Sequence, residues 1–235
     1  MDATELSDWL SEAWKDHQGT WAVVDHELYD LCARKGHDRL EDVYAKVAII
    51  NRVYAAGIAR SVAARGSEDA ELLVSRLLVD CRDQLSECLA HLEQVEELTS
   101  VSMVAIVAAH GSLTRRLASE IGGVNLCSFL SKYLHFHCPS VPIYDSRVAE
   151  HIAGVLGHQV PRGTRTDRLL PRPPIYDPSY YWYTGRFLKL WELVQESTPG
   201  ATVKMLDHAL WRGGSPLQPA DELGLRPGTP QTRAN

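Results

Sequence analysis

Hydrophobic residues recur along most of the chain at three- and four-residue steps, the spacing that places side chains on one face of an α-helix. Residues 4–16 and 21–33 show this spacing first, and residues 42–60 form the most apolar segment. The pattern predicts an all-α protein, in which the first two helices close over one lobe and the apolar helix is central.

Capping residues and prolines predict where the later helices begin. The predicted helices are a long one from Ser67 to about Leu92, a short one at 100–109, one after Asp177-Pro178 and a last one at Thr198-Pro199. The tripeptide His110-Gly111-Ser112 is predicted to end the short helix. Residues 1–215 are therefore predicted to form one helical domain, and residues 216–235 a flexible tail.

Residues 120–157 combine a turn, a helix, a proline-rich crossing and a second helix. Gly122 and Gly123 can supply the positive φ angles that a sharp reversal needs. Prolines after the first helix force an extended passage. Asp145 then stands where it would cap the second helix, whose apolar stripe begins at Val148. The stretch thus predicts a carboxylate at a helix N-terminus, a short distance after a hairpin.

This order resembles the core of the helix-hairpin-helix DNA glycosylases, whose hairpin reads roughly Leu-Pro-Gly-Val-Gly-x-Lys-Thr-Ala and precedes a Pro-Val-Asp-x-x-Val segment. Residues 121–128 align with the hairpin without a gap, and residues 142–148 align with the second segment with one extra residue. Cys127 and Asp145 are 18 residues apart, a spacing similar to that of the family. By this match, Asp145 is expected to be the essential acid. The similarity is strong over about 40 of the 235 residues.

The resemblance implies a two-lobed helical fold with a cleft between the lobes, in which the hairpin and the catalytic helix occupy residues 112–157. Hairpins of this kind bind a DNA phosphate through their backbone amides, which places Gly123 and Asn125 at that contact. Cys127 stands where bifunctional members keep the lysine that forms a Schiff base. Members without that lysine remove the base with water.

The resemblance therefore implies a monofunctional DNA N-glycosylase that flips out a modified base of double-stranded DNA and leaves an abasic site. No cofactor is implied. Relatives of this fold act on oxidised, alkylated, deaminated or mismatched bases, and some bacterial ones act on bulky modified cytosines of phage DNA. Repair and antiviral defence are both open.

Two polar residues, Asn51 and Arg52, interrupt the apolar segment 42–60. The segment resembles an early helix of the glycosylases whose polar end fills the gap left by an extruded base, so both residues are wedge candidates. The alternative is that Asn51 hydrogen bonds within the core while Arg52 reaches solvent.

Basic residues offer two candidate phosphate contacts. Arg115 and Arg116 lie within one turn of the hairpin, where they either bind a phosphate or solvate the surface. Residues 158–176 carry four arginines against a single acid, Asp167, which favours a loop that tracks the DNA groove or an exposed polar linker. These arginines are Arg162, Arg165, Arg168 and Arg172.

Four consecutive aromatic residues follow this loop: Tyr180, Tyr181, Trp182 and Tyr183. Four adjacent side chains cannot all lie on one face of a helix, so some of the rings are expected to point away from the core. A pocket for an extruded base is one destination, since bases stack on aromatic faces. The other is a lid packed over the two lobes.

Three further residues carry groups that bind metals or act as amine nucleophiles in other proteins. Side chains two apart on a helix point about 200° apart, so His135 and His137 are expected to be structural and no metal site is predicted. Lys132 lies five residues beyond Cys127 on another face of the helix, and is not expected to replace the missing lysine.

Composition and charge change this picture little. The chain is 45% apolar and 23% charged, which is ordinary for a globular protein. A net charge of −6 counts only mildly against DNA binding, because a local basic strip is enough. Five scattered cysteines without two-residue spacing argue against a zinc or iron–sulfur site. The acidic start and the absence of a long apolar run predict a cytoplasmic protein without a membrane partner, and we expect a monomer.

Two other functions remain compatible with the sequence. One is a DNA-binding helical protein that kept the hairpin without catalysis. The other is a helical protein-interaction module with the aromatic run as its interface. The feature that separates the three hypotheses is whether Cys127, Asp145 and the aromatic run converge on a cleft.

Overall fold

The computed structural model describes residues 3–34, 36–58, 69–157, 160 and 164–213, and over these residues the fold is all-α, without a strand. The helices are α1 (Ala3–His17), α2 (Thr20–Arg34), α3 (Leu40–Val53), α4 (Ala70–Asp80), α5 (Arg82–Leu92), α6 (Ser100–Glu120), α7 (Cys127–His137), α8 (Ser146–Leu156), α9 (Pro178–Ser197) and α10 (Val203–Arg212). A 3₁₀ turn at Thr166–Arg168 precedes α9.

The turn and the helix caps predicted within residues 120–157 and at residue 177 are confirmed. Gly122 and Gly123 have φ angles of +62° and +86° and reverse the chain between α6 and α7. Asp145 caps α8, and Asp177 caps α9, which begins at Pro178. The first two helices also form where their periodicity predicts them.

The prediction of one helix from Ser67 to Leu92 is wrong. Ser67 lies outside the described residues, and Asp69 caps α4 through its bond with the Leu72 amide. The helix ends at Cys81 and α5 begins immediately afterwards. Buried positions continue across this break at three- and four-residue steps, so the hydrophobic pattern alone cannot reveal it.

Three other predicted boundaries are also wrong. The apolar helix predicted within residues 42–60 forms as α3 but ends at Val53. The helix that begins at Ser100 does not stop at residues 110–112 but continues to Glu120, with His110 and Gly111 buried in its middle. The last helix begins at Val203 rather than at Thr198-Pro199, and Thr202 is its cap. Thr198 instead ends α9. The proposed tail, residues 216–235, lies outside the described residues.

Helix α7 is the centre of the packing. It contacts α2, α3 and α6, and its residues 129–136 are all buried. On another side of the molecule, α1 packs against α9 and α10, and α8 packs against the same two helices. The crossing after α7 links these groups, and Asp145 lies at its end.

Gly111 provides a test of the close approach between α6 and the segment before α9. A methyl group at Gly111 would lie 2.8 Å from the Tyr176 amide nitrogen and closer still to its Cα. Backbone atoms cannot move aside cheaply, so we expect Gly111→Ala to lower the free energy of unfolding by about 1–3 kcal/mol in urea titrations. The matched Gly154→Ala change in α8 meets nothing within 4 Å and is expected to be neutral or stabilising. Equal effects of the two changes would contradict this packing.

Candidate active site

Asp145 is a partly exposed carboxylate at the N-terminus of α8. Its Oδ1 accepts a hydrogen bond from the Arg147 amide at 3.0 Å, and its side chain is 24% exposed. A helix N-terminus favours a negative charge, and the capping bond fixes the orientation of the side chain. The carboxylate is therefore held in place while one part of it stays open to solvent.

The second oxygen of Asp145 faces a buried lysine of α7. Lys132 Nζ lies 3.5 Å from Asp145 Oδ2, and it also donates to Ser128 Oγ at 2.7 Å and to the Tyr144 carbonyl at 3.4 Å. The lysine side chain is only 5% exposed. Burial lowers the pKa of Lys132, and the negative charges of Asp145 and Asp207 oppose that shift.

The sequence did not reveal this pairing because the crossing folds back along α7. The Tyr144 amide donates to Ser131 Oγ at 2.9 Å, so the chain returns to the level of Ser131 and Lys132 rather than to that of Cys127. Lys132 does lie on a different face of α7 from Cys127, as the helical spacing requires. That face is the one that Asp145 approaches.

A second group of charges from α2 and α10 lies beside this pair. Lys204 Nζ lies 3.3 Å from Asp25 Oδ2, which also accepts from His17 Nε2 at 2.7 Å. The Tyr54 hydroxyl donates to the other oxygen of Asp25. Asp207, one turn beyond Lys204 on α10, is buried and interacts electrostatically with both groups. We call these residues, together with Lys132 and Asp145, the polar cluster.

The Asp207 carboxyl group of the polar cluster has an altered pKa. Burial raises its pKa to about 6; Lys204 and Lys132 work against this shift, and Asp145 and Asp25 add to it. Among the described residues, no lysine or arginine nitrogen lies within 4 Å of this carboxylate. It is therefore a buried acid without a direct ion-pair partner there.

Replacing Asp207 by Asn should change how stability depends on pH. Because the pKa is raised in the folded state, the folded protein binds more protons than the unfolded chain, and stability falls as pH rises from about 4 to about 6. Asn does not titrate, so the stability of the variant relative to the parent should rise by about 3 kcal/mol across this range. Urea unfolding at a series of pH values measures this difference. A difference in stability that stays constant across the pH series would contradict it.

The hairpin residues lie in the turn before α7, but their polar groups are used internally. The Gly123 amide donates to the Ala118 carbonyl at 2.7 Å. Asn125 donates to Asp177 at 3.0 Å and accepts from the Cys127 amide at 2.7 Å. The Cys127 side chain is buried, which raises the pKa of its thiol. The predicted phosphate contact through Gly123 is thus not supported, and Cys127 lies in the core.

The two wedge candidates are bound to an acid of α4. Arg52 donates to both Glu71 oxygens, at 2.9 and 2.8 Å, and Asn51 donates to the same carboxylate at 3.0 Å. Asn51 Oδ1 also accepts from the Ile58 amide. This arrangement agrees with the alternative prediction for these residues, in which Asn51 hydrogen bonds internally and Arg52 reaches solvent.

The basic residues near the hairpin are exposed. Arg115 and Arg116 are on the last turns of α6, and Arg116 pairs with Glu120 at 2.7 Å. In the basic loop, Arg165 pairs with Asp167 at 2.5 Å, whereas Arg168 and Arg172 are exposed.

Arg172 also lies over the rings of Tyr176 and Tyr181, at 5.7 and 5.9 Å. Arg162 is outside the described residues.

The aromatic run lies mostly in the core. Its three tyrosines are buried: Tyr180 donates to the Pro142 carbonyl at 2.8 Å and Tyr181 donates to the Leu170 carbonyl at 2.7 Å. Only Trp182 is partly exposed. The expectation that rings point away from the core therefore holds for one of the four.

Trp182 lines an open surface groove of about 480 Å³ between α8 and α9, with Tyr144 and small side chains around it. The lining residues from α8 are Ser146, Ala149, Glu150 and Ala153. They occupy a different face of α8 from Arg147 and His151, which contact α10. The groove is thus lined by the two chain neighbours of Asp145, Tyr144 and Ser146, but by no residue of the polar cluster.

The histidines of α7 have structural contacts. His135 Nδ1 donates to the Val141 carbonyl at 2.7 Å, and its Nε2 accepts from the Tyr29 hydroxyl at 2.5 Å. Burial lowers the pKa of His135 to about 3, so this ring is neutral. Within the described ranges, no three histidine, cysteine or acidic side chains come together as a metal site would require.

No protein family, curated protein or solved structure matches this chain. Of the helices whose residues are described, none combines the length and the apolar character needed to cross a membrane.

Proposed function

We propose that the protein is a monofunctional DNA N-glycosylase that extrudes a modified base from double-stranded DNA and hydrolyses its bond to the sugar. The observation that carries this proposal is Asp145, a partly exposed carboxylate that a helix N-terminus and Lys132 hold in place after a hairpin. The helix contacts are consistent with two lobes, since α1 packs with α9 and α10 whereas α2 and α3 pack with α7.

The chemistry needs a fixed negative charge next to the sugar. When the glycosidic bond breaks, its electron pair leaves with the base and positive charge develops on the deoxyribose. The Asp145 carboxylate would stabilise that charge and accept a proton from the water that adds to C1′. The departing base is protonated on the nitrogen that held the sugar, so a water molecule is consumed and an abasic site remains.

Lys132 supports hydrolysis rather than Schiff-base chemistry. Its amine reaches three acceptors, the Asp145 carboxylate, the Ser128 hydroxyl and the Tyr144 carbonyl. An ammonium group satisfies all three, whereas a neutral nucleophilic amine would leave the carboxylate without its counter-charge. In the proposed mechanism, Lys132 is therefore a positioning residue, and Cys127 contributes only to the core.

Exposed cations around the site favour a nucleic acid as the partner. Arg147 is exposed two residues after Asp145, and Arg115 is exposed at the hairpin end of α6. Such side chains can neutralise phosphates without a basic net charge. They would guide the DNA backbone past Asp145.

The decisive experiment is a panel of duplexes, each with one oxidised, alkylated, deaminated, mismatched or bulky modified base. Free base is measured by mass spectrometry, and abasic sites are revealed by alkali. We expect release of at least one class of base, with the strand intact until alkali is added. If DNA binds but no free base appears, the protein is a non-catalytic DNA-binding protein. If DNA does not bind at moderate salt, a protein-interaction module is the better hypothesis.

A further inference from the structure

Two tryptophans from distant parts of the chain meet at the surface. Trp21, at the start of α2, and Trp211, at the end of α10, have ring centroids 6.2 Å apart in an edge-to-face arrangement. They are 40% and 42% exposed, which makes them unusual among the large hydrophobic residues of this fold. Such residues in pairs mark binding surfaces more often than solitary exposed side chains do.

This tryptophan pair borders the polar cluster. The Arg147 guanidinium lies 5.9 Å from the Trp211 ring centroid, and the Arg147 amide is the one that Asp145 caps. On the other side, the Trp21 ring lies 6.1 Å from that of Tyr54. Lys204 lies 5.2 Å from the same Tyr54 ring, and it pairs with Asp25. Aromatic and cationic groups therefore form a continuous path from the surface to the polar cluster.

We propose that Trp21 and Trp211, together with Arg147, form the surface that binds the unpaired nucleotide presented to Asp145. This inference rests on the proposed function and names the part of the site that contacts the base. The tryptophan rings offer flat apolar faces on which a base stacks, and stacking of this kind tolerates any base. Arg147 supplies the positive charge that a nucleotide phosphate needs.

The test uses a short single-stranded oligothymidylate, because its bases are already unpaired. We expect it to quench the tryptophan fluorescence of the parent protein and of Trp191→Phe, a control in α9. The double variant Trp21→Phe/Trp211→Phe should lose most of the quenching while it still binds through its phenyl rings. Trp211→Ala should bind about 5- to 150-fold more weakly, the range measured for the loss of one stacked base.

Two further variants separate this surface from other sites. Arg147→Gln should reduce the slope of log affinity against log salt by about one, because one phosphate contact is lost. Trp182→Ala, in the groove between α8 and α9, should leave binding unchanged. Thermal unfolding of every variant shows whether it is folded; if Trp211→Ala is not, the phenylalanine variants and Arg147→Gln decide.

Several outcomes would overturn the inference. In the first, the parent protein does not bind the oligonucleotide. In the second, the quenching survives in the double variant. In the third, binding is weaker in Trp182→Ala but not in Trp211→Ala. If the proposed function is wrong, the result is different: the oligonucleotide still binds in a tryptophan-dependent manner, but no base is released from the duplex panel. If base is released equally by the parent and by Trp211→Ala, the proposed function stands and this surface does not serve it.

Discussion

Asp145→Asn should reduce base release by about 10²- to 10⁴-fold and leave DNA affinity nearly unchanged. The variant loses the negative charge that stabilises the developing cation and accepts the proton of the attacking water. Asn caps helices about as well as Asp, so the bond from the Arg147 amide can be kept and the fold should survive. Single-turnover release of free base from the responsive duplex measures the rate, and a binding titration with the same duplex measures the affinity.

A second capping aspartate provides the matched control. Asp69 caps α4 through the Leu72 amide at 2.9 Å, as Asp145 caps α8, but it lies outside the polar cluster. Asp69→Asn should therefore release base at the parental rate. If Asp145→Asn retains parental activity, or if it loses DNA binding and thermal stability together with activity, Asp145 is only a helix cap and the enzyme hypothesis fails.

The parts of the site that could be predicted from the sequence are those encoded by neighbouring residues. The reversal at Gly122 and Gly123 and the cap at Asp145 depend on backbone angles and hydrogen bonds within a few positions. The all-α class follows in the same way from the spacing of apolar residues. The interpretation of residues 120–157 as a glycosylase-like core stays a prediction that the duplex panel must test.

The rest of the site comes from contacts between distant residues. Asp25 and Lys204 meet because α1, next to α2 in the chain, packs against α10 at the other end. No local pattern marks either residue for this role. Trp21 and Trp211 are another example, because their joint exposure depends on the same helix arrangement.

In the aromatic run, tertiary packing buries rings that the sequence predicted to point away from the core. A single helix face cannot bury four consecutive rings, but α9 contacts α1, α6, α8 and the 3₁₀ turn. Its tyrosines are therefore covered from several directions, and the hydroxyl groups of Tyr180 and Tyr181 find backbone carbonyls as acceptors. The sequence of one helix does not show how many neighbouring helices will cover it, so the burial of these rings could not be predicted.

Lys132→Met should lower the rate of base release by about 10- to 100-fold, because it removes the cation that orients the carboxylate. The change also leaves Asp145 without its counter-charge and the Tyr144 carbonyl without one donor. The free energy of unfolding should therefore fall by about 1–3 kcal/mol. The control is Lys189→Met, which removes an exposed ion pair with Glu192 and should change neither quantity measurably.

The same variant decides between a positioning lysine and a nucleophilic one. If Lys132 only positions Asp145, borohydride added to the parent protein with modified or abasic DNA should trap no covalent complex, and the strand should stay intact until alkali is added. A nucleophilic Lys132 would instead give a trapped protein–DNA species and spontaneous strand cleavage, both absent from Lys132→Met. That result would show a bifunctional enzyme and overturn the monofunctional mechanism, while the role of Asp145 would stand. Since Lys132 is bound to three acceptors, we expect the first outcome.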